Sequence, residues 1–172
     1  MLSLKGKKAL MIIAPDKFRD EEFFEPKSVL EQAGVQVTTA SKNVSEAVGM
    51  LSARAKVDID IAIAAVENFD ILIFVGGSGS SIYFNDEIAL NLAKKAAFLN
   101  KIIGAICIAP SILANAGILQ GKRATAFPTE EDNLKSKGAI FTNEQVTVDG
   151  KIITAKGPKA AQDFANKIIQ TV

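Results

Sequence analysis

The chain has 172 residues, enough for one domain with a substantial core, and its 48% hydrophobic and 23% charged composition excludes disorder. Its 20 basic and 19 acidic residues leave a formal net charge of +1, which gives no electrostatic footprint for nucleic acid or an anionic membrane. One cysteine and no histidine exclude an internal disulfide, point to an intracellular protein, and remove the commonest general base and metal ligand together, so neither a metal nor a cofactor is expected.

Lys5, Lys7 and Lys8 precede an apolar run over residues 9–14, as in a signal peptide. The run is too short, however, and it ends at Pro15-Asp16 without a small-residue cleavage site. No stretch approaches transmembrane length, and a cytoplasmic location is expected. Residues 8–14 are predicted as a first buried strand. After an acidic loop over 16–22, a helix is predicted over 23–33, with Pro26 in its first turn, a stripe of Val29, Leu30 and Ala33, and Gly34 as its stop. A second strand follows over 35–40. Residues 49–63 are less regular; Val57, Ile59, Ile61 and Ile63 alternate with Asp58, Asp60 and Ala62, the pattern of a half-exposed strand in a small hairpin or edge excursion.

Residues 70–75 are predicted as a third buried strand, running into the loop Gly76-Gly77-Ser78-Gly79-Ser80-Ser81. Asn85 or Asp86 can cap the next helix, in which Ile88, Leu92, Ala96 and Leu99 share one face. Residues 102–106 are an unbroken apolar run of the kind buried on both faces of a parallel sheet. Cys107 follows at once, and then a short apolar helix over 111–116 stopped by Gly117. A short strand over 122–126, a polar helix over 129–136 and a brief strand over 139–142 come next. A β-hairpin is predicted from 145–148 and 151–154, joined by Asp149-Gly150. Pro158 opens a final helix that buries Ala161, Phe164, Ala165 and Ile168. Strands alternating with helices, closed by an antiparallel hairpin, give an α/β protein: a flavodoxin-like three-layer α/β/α sandwich with a mostly parallel sheet, one domain over 1–172.

Open α/β sheets place their chemistry just outside the carboxyl ends of the strands, and Cys107 stands there, where a helix N-terminus favours thiolate. From spacing alone, a packed inert thiol fits equally well, since free cysteine is among the most buried residue types. The glycine-rich loop fails as a dinucleotide fingerprint because Ile82 holds the third glycine's place, and it carries no Walker lysine. Its simpler use is close approach, with Gly76 and Gly77 letting main-chain N–H groups point into the cleft. Of the acidic cluster Asp16, Asp20, Glu21 and Glu22, three are expected to be a solvated face. A phosphorylated receiver domain is not supported, since glycine rather than aspartate follows Val75.

Four segments together resemble the ThiJ/PfpI superfamily over nearly the whole chain: FRDEEFFEP (18–26), VGG (75–77), AICIAPSILANAGILQGKRATAFP (105–128) and VDGKIITAKGP (148–158). The resemblance implies that Cys107 is the reactive cysteine of a nucleophile elbow and Glu22 the buried glutamate that hydrogen-bonds it. It further implies that the N–H groups of Gly77 and Ile108 face a bound oxyanion, and that the protein is a homodimer or a higher homo-oligomer. Two histidines of the superfamily are missing. The PfpI-like branch has one after the cysteine, where Ile108 stands, and the deglycase-like branch has one before the proline, where Phe127 stands.

Without imidazole, amide hydrolysis lacks a base for deacylation, and proteolysis is not expected. Glu22 as a carboxylate would raise the thiol pKa by repulsion; as a buried neutral acid it would donate to the thiolate and lower it. The resemblance favours the neutral acid. Addition of the thiolate to a small reactive carbonyl, with glyoxalase III or deglycase-like action on 2-oxoaldehydes, is one reading. The other is a non-enzymatic redox sensor in which an oxidant converts Cys107 to sulfenic or sulfinic acid. A binding module that merely retains the cleft is a third.

Overall fold

A computed structural model describes residues 3–172 of the chain. The strand β1 (Lys8–Ile12) is buried in all but its first residue, as a central parallel strand must be. A short strand, β2 (Asp16–Phe18), leads into α1 (Asp20–Gln32) and then β3 (Gln36–Ser41). The helix α1 begins at Asp20 rather than Phe23, because Asp20, Glu21 and Glu22 form its first turn at the positive end of the helix. Pro26 therefore lies inside α1, where its ring removes the hydrogen bond that would end on the Glu22 carbonyl.

The irregular region resolves into two pieces. The strand β4 (Glu46–Gly49) pairs antiparallel with β5 (Arg54–Lys56), and with β2 they make a separate three-stranded sheet. The alternating run after it is not one strand. Only β6 (Ile59–Asp60) pairs, parallel to β3. The Asp60 side chain then accepts from the Ala62 N–H at 2.8 Å, which turns Ile61–Ile63 into a 3-10 segment and leaves Ile63 exposed.

The second half supplies β7 (Ile71–Phe74), α2 (Glu87–Phe98), β8 (Ile102–Ile106) and α3 (Pro110–Asn115). Asp86 caps α2 by accepting from the Ala89 N–H at 3.1 Å. This helix buries Ala89, Leu92, Ala93 and Ala96, while Ile88 and Leu99 at its ends are exposed, so the predicted stripe holds only in its middle. The strands β9 (Arg123–Ala124) and β10 (Ile140–Phe141) flank α4 (Glu131–Ser136) and pair as a two-stranded ribbon. The hairpin of β11 (Val146–Asp149) and β12 (Ile152–Ala155) turns at Gly150-Lys151, because Asp149 still pairs with Ile152. The final helix, α5 (Ala161–Thr171), buries the four residues named above.

The main sheet is seven-stranded in the order β11-β12-β8-β7-β1-β3-β6, and every pairing except β11 with β12 is parallel. The helices α1 and α5 pack together over one face, and α2, α3 and α4 form the other layer. This is the expected three-layer sandwich. Gly104 in β8 makes it close-packed: a Cβ there would lie 2.8 Å from Phe164 Cζ and 3.0 Å from Ile168 Cδ1 of α5. From β1 the chain runs outward to β3 and β6, then returns to the opposite side of β1 at β7. That reversal opens a crevice at the carboxyl ends of β1, β7 and β8.

Candidate active site

Cys107 sits between β8 and α3 with φ of 65°, a left-handed conformation that costs a non-glycine residue roughly 1–3 kcal/mol. Both of its backbone groups are fixed. Its N–H donates to the Ala155 carbonyl of β12 at 2.9 Å, and its carbonyl accepts from the Phe127 N–H at 2.7 Å. The residue is a sharp, strained elbow that lifts its side chain out of the sheet. It is only partly buried, unlike the apolar strand before it.

Glu22, in the first turn of α1, is wholly buried at 0% exposure. It meets Cys107 because Gly76 has no side chain. A Cβ on Gly76 would lie 2.3 Å from Glu22 Oε2, 2.5 Å from Cys107 Cβ and 2.7 Å from the Ile106 carbonyl oxygen. Neither carboxyl oxygen of Glu22 makes a hydrogen bond of good geometry within the described residues. The Cys107 thiol and the Gly76 amide approach more loosely and are weak counterweights to desolvation. Burial therefore pushes the Glu22 carboxyl up to about 8, so at neutral pH it holds its proton.

The thiol does not have the depressed pKa expected of it. Burial first, and then the charge of Glu22 when it is ionised, push Cys107 up to about 12, against the pull of the Gly77 and Ile108 amides, which face the sulfur. The charge contribution vanishes when Glu22 is protonated. The helix α3 has only 6 residues, so the expected pull of its N-terminus reduces to individual amides. Gly77 has φ of 98°, and a Cβ there would strike the Arg19 nitrogen at 2.3 Å. Only glycine brings its amide to this place.

The four residues singled out from the sequence, Cys107, Glu22, Gly77 and Ile108, line one cleft of about 460 Å³. Phe127 and Ile108, at the two positions of the missing histidines, line it too and make it more apolar. Three residues of the site escaped the sequence reading. Asp20 is buried rather than solvated: its carboxylate accepts from the Leu51 N–H at 2.8 Å and the Ala53 N–H at 3.0 Å, fixing the β4–β5 turn that brings Met50 to the cleft. Arg19 lines the cleft with its guanidinium held by Glu21 at 2.8 and 3.0 Å. Glu130 lines it from the far side of the sequence, beyond the proline of the 105–128 segment. Glu130 stood in the polar run 129–136 and Arg19 and Asp20 in an acidic cluster, and both patterns read as surface.

Comparison with known proteins adds to this geometry. A model of the DJ-1/PfpI family matches residues 7–171. A glutathione-independent glyoxalase of Caenorhabditis elegans is 30% identical over 166 residues, 96% of this chain and 89% of that protein. A deglycase of Pyrococcus abyssi is 30% identical over 149 residues, 87% of this chain and 90% of that protein. The crystal structure of a ThiJ/PfpI domain protein from Brachyspira murdochii superimposes with a TM-score of 0.94 at 32% identity, covering 97% of this chain and 96% of that one.

Proposed function

This chain belongs to the DJ-1/PfpI family, and from that premise we propose that it is a cysteine-dependent enzyme acting on small reactive carbonyl compounds, converting 2-oxoaldehydes to 2-hydroxy acids as a glyoxalase III or deglycase-like protein. The observation that carries this reading is the placement of Glu22 and Cys107 against each other with the Gly77 and Ile108 amides on the sulfur.

When the Glu22–Cys107 pair holds a single proton, it exists either as carboxylate and thiol or as carboxylic acid and thiolate. Burial makes the first form the more populated, and the two amides stabilise the second, which is the one that reacts. The thiolate adds to the aldehyde carbon, a C–S bond forms, and the carbonyl oxygen takes the Glu22 proton to give a hemithioacetal. Glu22, now a carboxylate, accepts the hydrogen of the former aldehyde carbon as a proton and returns it to the former ketone carbon. The hydroxyl proton moves between the two oxygens in the same passage. The result is a 2-hydroxyacyl thioester on Cys107: one carbon is oxidised, its neighbour reduced, and no external electron acceptor is required. Hydrolysis then releases the acid. Peptidase activity is not part of this reading, since no histidine is present to protonate an amine leaving group.

The test is formation of lactate from methylglyoxal. Wild-type protein turns over and Cys107→Ser does not; a wild-type rate no higher than that of Cys107→Ser eliminates the enzyme. A second reading, a redox sensor, is favoured by the partial exposure of Cys107 in an open cleft beside amide donors. Under mild peroxide it requires oxygen to be added to Cys107, and an unchanged intact mass removes it.

A further inference from the structure

Any acyl group carried on Cys107 has to be released by water, and Glu22 is badly placed to activate that water. It borders the cleft beside the sulfur, but at 0% exposure it meets no water. We propose that Glu130 is the water-activating base that hydrolyses the acyl-Cys107 thioester, doing what the absent histidines cannot. This rests on the nucleophile of the reading above but not on its aldehyde substrate.

Glu130 opens onto the same cleft as Cys107 and is half-buried, so it meets both solvent and a bound acyl group. Its carboxylate is held by a network, not left to swing. One oxygen accepts from the Ser111 hydroxyl of α3 at 2.8 Å and the other from the Thr129 hydroxyl at 2.6 Å. The Ser111 oxygen accepts in turn from the Asn133 amide at 3.0 Å, and Asn133 also donates to Asn115 at 3.0 Å. Asn115 is anchored to the Phe84 carbonyl at 2.8 Å, and Phe84 is another wall of the cleft. Ser111 is wholly buried one helical turn beyond the cysteine, so the network ties the carboxylate to the elbow itself. Such support is what orients an acid–base group for a defined proton transfer.

In the step assigned to it, Glu130 takes a proton from water as the water oxygen bonds to the acyl carbon. The tetrahedral oxyanion collapses, the C–S bond breaks, and the sulfur leaves as a thiolate. The product acid gives its proton to solvent, and the proton on Glu130 also leaves through solvent, returning to the Glu22–Cys107 pair where the aldehyde route has left Glu22 as a carboxylate. Nothing is oxidised or reduced. The chemistry predicts hydrolysis of activated esters as well as of the thioester made from an aldehyde.

The probe is p-nitrophenyl acetate, with p-nitrophenolate release followed from the first turnover and Cys107 acetylation followed by intact mass. Glu130→Gln is expected to keep the initial burst, lower the steady-state rate by at least about 100-fold, and accumulate acetyl-Cys107, with Glu130→Asp restoring part of the rate. An unchanged steady state in Glu130→Gln overturns the assignment. So does a variant that loses burst and steady state equally, which is the mark of a structural role. Wild type with no acetylation of Cys107 removes both this assignment and the nucleophile beneath it. Ester turnover that depends on Glu130, without lactate from methylglyoxal, leaves this assignment standing and removes the aldehyde substrate alone.

Discussion

Glu22 and Cys107 face each other across the space that a side chain on Gly76 would fill, with Glu22 Oε2 2.3 Å and Cys107 Cβ 2.5 Å from the position of that missing Cβ. The consequence for Gly76→Ala is direct. One methyl group would wedge the acid from the sulfur, costing about 1–3 kcal/mol of stability and slowing the alkylation of Cys107 at pH near 8. Urea unfolding and iodoacetamide labelling read the two effects on one sample.

The burial of Glu22 sets a pH dependence of stability. Its carboxyl rises from an ordinary 4.5 to about 8 on folding, so between those values the folded chain holds a proton that the unfolded chain has released. The stabilisation is complete below 4.5 and is lost as pH rises through about 8. The loss is on the order of 5 kcal/mol across that window. Urea melts of wild type should therefore weaken steadily over it, while Glu22→Gln should be nearly flat.

Gly104 offers a change that strikes the fold and spares the chemistry. A Cβ there would meet Phe164 Cζ at 2.8 Å, so Gly104→Ala is expected to lose about 1–3 kcal/mol, and Phe164→Leu in the same chain to restore part of it. The pH at which Cys107 becomes reactive should not move. Thermal melts and alkylation together make the check.

Asp20 carries the β4–β5 turn. Asp20→Ala leaves the Leu51 and Ala53 amides without their acceptor, at a cost of about 1–3 kcal/mol. Hydrogen exchange at those two amides should accelerate by far more than at Ile103 or Leu72 in the central strands.

The strands of the parallel sheet were legible because buried parallel strands announce themselves as unbroken apolar runs, as over 102–106 and 70–75, whereas their order in the sheet appears only in the structure. The hairpin was legible to within one residue, since Gly150 takes the positive φ that such a turn demands. What failed was local competition. Ile59 to Ile63 alternates like a strand, yet an Asp60 side chain that captures the Ala62 amide is enough to end the pairing after two residues. The acidic cluster failed at Asp20 for a related reason: sequence gives its charge but not that it fixes a distant turn, whereas the burial of Glu22 was implied by the resemblance alone. The thiol was misjudged because desolvation depends on neighbours that converge only in space.

The pH profile of Cys107 alkylation by iodoacetamide, in wild type and in Glu22→Leu, bears most directly on the shared proton, and Cys107 is the only cysteine in the chain. In wild type the rate should climb with a midpoint near 8, where the pair gives up its first proton, and then level off. In Glu22→Leu no acid remains to exchange that proton, and the midpoint should move up by at least about one pH unit. Superimposable profiles for the two proteins would mean that Glu22 does not govern the sulfur, and the proposed chemistry would be wrong.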